Sequence, residues 1–189
     1  MSKGIVAVDG SRLFSEIFEI RRSRNAPNLQ CNITALSNHL RFVWRNVLGE
    51  FIRATYYFKQ QDKRIKEMLK VDQDREHWKI VECGIPLPAI PDEELAKLSP
   101  KYRDHFPRSE KGVDIKLTCD CLSLAATGRV DSFIFHFNDR DFLPLIEAIQ
   151  GLGCNAYLTS LSIRPSQELI DACDRYTSME GYLDAILHG

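Results

Sequence analysis

No glycine-rich turn follows the first apolar run of this sequence, no two cysteines stand at C-x-x-C spacing, and no apolar stretch approaches the ~20 residues that cross a membrane. These absences exclude a dinucleotide-binding fingerprint, a cysteine-based zinc site and a membrane span. An excess of charge is missing too, since 25 lysines and arginines face 26 acids for a formal charge of −1. Any surface for nucleic acid must therefore be local. No secretory signal pattern opens the sequence, and its six cysteines lie mostly in apolar segments. The expectation is a cytoplasmic protein with reduced, buried thiols and no membrane association. Its 189 residues suit one domain over 1–189, without internal repeats or low-complexity segments.

What is present is acid at the ends of strands. The run from Lys111 to Leu145 concentrates aspartates around one helix and one strand. The helix opens at Gly112-Val113-Asp114, where an acid in the first turn suits the free amides and the positive end of the dipole. The strand, Ser132 to Phe137, is apolar apart from His136, as strands buried on both faces of a parallel sheet are. It ends in Asn138-Asp139-Arg140-Asp141. A helix follows at once, with Phe142, Leu145, Ile146 and Ile149 at helical spacing and Pro144 in its first turn. The apolar run Ile5-Val6-Ala7-Val8 likewise ends in Asp9-Gly10-Ser11. Ligands of open α/β sheets bind beyond the carboxyl ends of the strands, so these acids point to one crevice. Taken singly, Asp9 and Asp139 have the alternative of turn formers, and Asp114 and Asp141 that of helix caps.

Around this block the chain alternates strands and helices. Leu13, Phe14, Ile17 and Phe18 mark a first helix that closes on Arg21-Arg22-Ser23-Arg24, a cluster that either complements the helix dipole or follows phosphates. A second helix runs from about Ala35 to Leu48, with Trp44 in its apolar stripe as a core residue. Strands are expected at 51–58, 78–83 and 155–159. A helix carrying Ile65, Met68 and Leu69 inward follows the first of these, and another covers 166–176. Residues 84–109 form a long proline-bearing connection with a short helix at 93–98, basic through Lys101, Arg103, His105 and Arg108. A short C-terminal helix at about 178–188 packs either on the domain or on a second copy, which leaves a homodimer open. This order implies a single Rossmann-like α/β domain, with a mainly parallel sheet of about five strands and helices on both faces.

Three blocks together resemble the NYN domain of the LabA-like group, within the PIN-like nucleases. Val6-Ala7-Val8-Asp9-Gly10-Ser11 resembles its opening strand and D-G-x-N turn, with Arg12 in place of asparagine. Lys111-Gly112-Val113-Asp114 matches its K-G-V-D helix start, and Phe137-Asn138-Asp139-Arg140-Asp141-Phe142 its S-G-D-S-D-F block. The resemblance implies a PIN-like fold and a metal-dependent ribonuclease acting on RNA. Oxygen donors without histidine or thiolate suit Mg²⁺ or Mn²⁺. By the resemblance Asp9, Asp114 and Asp139 hold the metal, and Asp141 is a ligand or orients the attacking water. Asp120, Asn138 and Ser11 support them. Arg12, Arg140 and Lys111, with Arg22 and Arg24 from the basic cluster, are the candidates for the substrate phosphate.

Asp120 lies six residues past Asp114, about 120° around the helix, which makes it a supporting group. His136 faces away from Phe133, Phe135 and Phe137 and reads as a hydrogen-bonded sheet residue. Two departures from the family pattern favour a different class of function. Arg12 either neutralises the acids or grips a phosphate, and the strand ending at Phe58-Lys59 lacks an acid often present there, with Asp62 the nearest substitute. They motivate the alternative of a degenerate NYN-like module that binds RNA or protein. A phosphoaspartyl phosphatase fits poorly, because Asp9 has no second aspartate two residues on.

Overall fold

In the computed structural model, residues 3–47, 49–60, 78–86, 93, 96–97 and 110–188 are described. The helix expected after Phe58, Asp62, most of the 93–98 helix, the basic connection through Arg108 and the side chain of Lys111 lie outside them.

Strand β1 (Lys3–Asp9) sends alternate side chains to opposite faces, as a pleated backbone must. Val6 and Val8 enter one apolar layer, and Ile5 and Ala7 the other. Helix α1 (Gly10–Ser23), the short strand β2 (Gln30–Cys31) and helix α2 (Ile33–Trp44) lead to β3 (Glu50–Lys59). Leu13 and Ile17 of α1 and Leu36, Leu40 and Trp44 of α2 fill the first layer. Strands β4 (Trp78–Pro86) and β5 (Glu110–Lys111) precede α3 (Val113–Ala126) and β6 (Ser132–His136). A 3-10 turn at Arg140–Phe142 runs into α4 (Leu143–Gly151), and β7 (Asn155–Ser160) is followed by α5 (Gln167–Ala172) and β8 (Arg175–Ser178). Val113, Leu117 and Cys121 of α3 and Ile146 and Ile149 of α4 fill the second layer with Phe133, Phe135 and Phe137. A second 3-10 turn, Glu180–Tyr182, leads into α6 (Leu183–Ile186) and β9 (Leu187–His188).

The main sheet has the order β5-β4-β3-β1-β6-β7-β8. Its pairs are parallel except β4 with β5. The α/β class with a mainly parallel sheet and helices on both faces is thus as expected, and the sheet is wider than five strands. Strand β8 is one reason. The helix expected to reach Tyr176 stops at Ala172, because the backbone N–H of Asp174 donates to Ala156 O at 2.8 Å, while Asp174 Oδ2 accepts from Ala156 N–H at 2.7 Å. Those bonds lock the next residues beside β7, where sheet pairing overrides the helical pattern. Helix α2 starts at Ile33, earlier than its apolar stripe indicates, since Asn32 caps it through Ala35 N at 2.8 Å. Trp44 is buried and packs on Tyr157, with ring centroids 5.1 Å apart. The C-terminal segment packs on its own domain: β9 pairs with β2, and Asn32 N donates to Ile186 O at 3.0 Å. All six cysteines are free; Cys31, Cys121 and Cys154 are buried, Cys83 and Cys173 half-buried and Cys119 exposed.

Gly10 is required by a close approach rather than by a turn. A Cβ there would lie 2.1 Å from two ring carbons of Phe58 and 2.6 Å from the carbonyl oxygen of Tyr57. The buried Phe58 thus closes over the start of α1. Gly10→Ala is expected to destabilise the fold by about 1–3 kcal/mol, because β1 and β3 must part to admit the methyl. Urea unfolding measures it, and an unchanged midpoint would mean that the Phe58 ring simply moves aside.

Candidate functional site

Strands β1 and β6 are neighbours in parallel register, with Val8 opposite His136, so the residues that follow them emerge side by side. Asp9, Arg12, Asn138, Asp139, Arg140 and Asp141 line one open concavity of about 540 Å³. Asp114, in the first turn of α3, faces the same acids. Partial burial, and then the charges of Asp139 and Asp141, hold its carboxyl above the usual carboxylate range. Four aspartates from three separate segments therefore gather at the carboxyl edge of the sheet.

Local capping explains how they are held. Asp9 Oδ1 accepts from the N–H groups of Ser11 at 2.8 Å and Arg12 at 3.3 Å, which starts α1. Asp139 Oδ1 accepts from Asp141 N–H at 3.0 Å and starts the 3-10 turn, so Asp139, not Asp141, is the cap. Helix α3 is capped by Gly112 at φ 106°, in the left-handed region that favours glycine, and Asp114 is left projecting from the first turn. Capping and cleft position thus coexist in Asp9 and Asp139.

Carboxylate oxygens are the right donors for a hard divalent ion. Among the described residues, however, no three His, Cys, Asp or Glu side chains stand together at a spacing that could hold one. Asp114, Asp139 and Asp141 are exposed, so rotation of surface side chains is what drawing them around an ion requires.

The remaining candidates divide. Asn138 Oδ1 accepts from Ser166 N–H at 3.3 Å, tying the cleft to the start of α5, and Arg140 pairs with Glu168 on that helix. Ser11 serves through its backbone. Asp120 points elsewhere, accepting from Tyr57 Oη at 3.3 Å and Lys116 Nζ at 2.6 Å. Arg22 pairs with Glu19 and Arg24 with Asp184, and both lie roughly 15 Å or more along α1 from Arg12. They are not part of the cleft.

Arg12 lines the cleft, but its guanidinium is tied back: Nε donates to Glu16 Oε1 at 2.9 Å and a terminal nitrogen to Ile163 O at 3.2 Å. Glu16, which the sequence reading passed over, is 1% exposed. Its Oε2 accepts from Leu161 N–H at 2.6 Å and Ser162 N–H at 2.9 Å, pinning the segment after β7 to α1. The signal was there, as an acid on the inward stripe of Leu13, Ile17 and Ile20 and four residues from Arg12.

His136 Nε2 lies 3.7 Å from Glu16 Oε1 and has no hydrogen-bond partner among the described residues, contrary to the expectation of a hydrogen-bonded sheet residue. Burial depresses its proton affinity, opposed by Glu16 and aided by Arg12. A folded-state pKa below the unfolded value means that the unfolded chain binds more protons in mild acid. The contribution of this group to stability is then full above about pH 6.5 and is lost progressively as pH falls below that value. Asp114, whose carboxyl is raised, acts in the opposite sense, with a contribution present in acid and lost as pH rises through its folded-state value. Melting temperatures across this range should slope for the parent and flatten for His136→Gln; equal slopes would remove His136 as the cause.

A crystal structure of a protein of unknown function from Vibrio parahaemolyticus is similar to this chain with a TM-score of 0.63 at 18% identity, covering 99% of this chain and 96% of that one. At that identity the likeness concerns the fold. Among curated proteins none matches the chain. No helix among the described residues is long and apolar enough to cross a membrane. The model of the NYN domain family matches residues 5–180, a span that contains all four aspartates. The chain belongs to the NYN domain family, a PIN-like fold whose members are generally nucleases.

Proposed function

We propose that this protein is a divalent-metal-dependent endoribonuclease that hydrolyses RNA phosphodiester bonds at the aspartate cleft. The observation that carries this reading is the gathering of Asp9, Asp139 and Asp141 around one concavity, with Asp114 under the electrostatic influence of the last two. Carboxylates that repel one another are stabilised by a cation. Asp9, Asp114 and Asp139 would hold Mg²⁺ or Mn²⁺, and Asp141 would orient the attacking water or complete the donor set. The ion, when bound, supplies Lewis acidity for the water and the phosphate. Arg140 and Arg12 line the same cleft, and each would meet an entering phosphate only by giving up the carboxylate it now pairs with, Glu168 and Glu16 respectively. Free cysteines support a cytoplasmic setting.

A second reading has one observation in its favour: among the described residues no three His, Cys, Asp or Glu side chains stand close enough together to hold an ion. In it the cleft binds RNA without cutting. Incubation of single-stranded and structured RNAs with the purified protein in Mn²⁺ or Mg²⁺, beside an EDTA control, separates the two. Cutting that EDTA abolishes supports the nuclease. RNA binding indifferent to EDTA, with no cutting, supports the binding module.

A further inference from the structure

A second concavity, of about 410 Å³, lies on the α3 side of the sheet, toward the amino-terminal ends of β1, β3 and β4. Its cations Arg53, Lys79 and Arg129 lie at the edge opposite the aspartates, while Tyr57, the register partner of Asp9, and Lys116 continue it toward the other edge; the volume is within the range of small-molecule sites. Its chemistry differs from that of the cleft. Lys116 is neutralised there by Asp120, with Nζ 2.6 Å from Oδ1. Arg53, Lys79 and Arg129 remain, and among the described residues none of the three has a carboxylate partner. The strand register fixes two of them on one face, since Arg53 is opposite Ile5 and Lys79 is opposite Thr55. Like charges around one hollow repel, and an anion seated among them relieves that repulsion.

The walls narrow the choice of anion. Half-buried Leu124 gives one apolar wall and the edges of the buried Ile5 and Val130 floor the hollow between the cations, apolar surface that a bare inorganic ion would not use. Asp120, held by the Tyr57 hydroxyl as well as by Lys116, presents a carboxylate that accepts hydrogen bonds from hydroxyl groups. An anionic end, a flat apolar middle and a hydroxyl-bearing part describe a phosphorylated nucleoside.

We propose that this hollow is a binding site for a nucleoside monophosphate. The phosphate sits among Arg53, Lys79 and Arg129, the ring lies against Leu124 above the edges of Ile5 and Val130, and a sugar hydroxyl donates to Asp120. The site is separate from the aspartate cleft and does not depend on the nuclease reading.

Calorimetric titration of the full chain with adenosine, inorganic phosphate and each of the four 5′-ribonucleoside monophosphates, in buffer without divalent metal, tests it. One-to-one binding of at least one monophosphate, about tenfold or more tighter than phosphate or adenosine, is the expected result. The Arg53→Glu/Arg129→Glu double variant, altered only at exposed side chains, should lose that binding by about tenfold or more and keep the parent's melting temperature. Asp139→Asn should retain it. Failure of every monophosphate to bind, phosphate binding as tightly as the nucleotides, or binding lost in Asp139→Asn but kept in the double variant would each overturn the proposal. So would binding of a long single-stranded RNA that the double variant loses while monophosphates do not bind the parent, since the hollow would then follow a polymer backbone.

Discussion

Asp139→Asn is expected to lower metal-dependent RNA cleavage by at least about a hundredfold, equivalent to about 2.7 kcal/mol of transition-state stabilisation, while leaving the fold intact. The substitution separates the observed cap from the proposed metal-holding role. As a cap, Asp139 needs only an oxygen to accept from Asp141 N–H, and asparagine keeps one. As a metal-holding acid it needs its charge, and asparagine removes that. The residue is exposed, so no packing is lost. One further readout belongs to the same variant. Asp139 helps to hold the Asp114 carboxyl above its usual range, so NMR titration of Asp114 should show its pKa lowered in Asp139→Asn. A variant that cuts RNA as fast as the parent would leave Asp139 a turn former and refute the assignment. A shift at Asp114 without any loss of cleavage would show that the acids are neighbours but not the reaction centre.

Glu16→Ala should cost about 3–5 kcal/mol of folding stability, the range for breaking a buried ion pair by removing one partner. Glu16 is buried and engages Arg12 together with the backbone amides of Leu161 and Ser162. Removing its carboxylate leaves Arg12 unpaired and strands two amides, each with a desolvation cost of its own. Glu16→Gln keeps an acceptor oxygen, so its loss should be smaller. Urea unfolding of both variants supplies the comparison. A Glu16→Ala loss under about 1 kcal/mol would mean that water or a shifted Arg12 replaces the carboxylate. The effect reaches the cleft because Arg12 also bonds Ile163 O, so loosening the segment after β7 frees a guanidinium at the cleft wall.

Some of this was legible in residue order alone. Ile5 to Val8 and Ser132 to His136 are short apolar runs bounded by acids, and a parallel sheet is the arrangement that buries such runs on both faces. Once they are parallel, their carboxyl ends share an edge, so the company of Asp9 and Asp139 follows from pattern and chirality. Helix α3 was similarly readable, because Gly112 followed by an apolar repeat marks its start. The K-G-V-D and D-x-D-F blocks pointed to the family that covers residues 5–180.

Other features depend on partners remote in sequence. Residues 175–178 carry no strand signal strong enough to break the preceding helix, and the bonds between Asp174 and Ala156 together with the pairing to β7 made them one. Arg12 had two readings on paper, and the buried Glu16 was needed to show where its guanidinium is tied. Arg22 and Arg24 read as phosphate contacts until the length of α1 set them far from the acids. The hollow ringed by Arg53, Lys79 and Arg129 had no signature at all, since its residues come from separate strands and a turn. The sequence by itself determined the class of fold and the edge at which the aspartates gather, because periodicity and strand order act locally and repeat. The tertiary structure alone decided which charges are paired, buried or left unopposed, because a charge is settled by whatever the folded chain brings within a few ångströms of it.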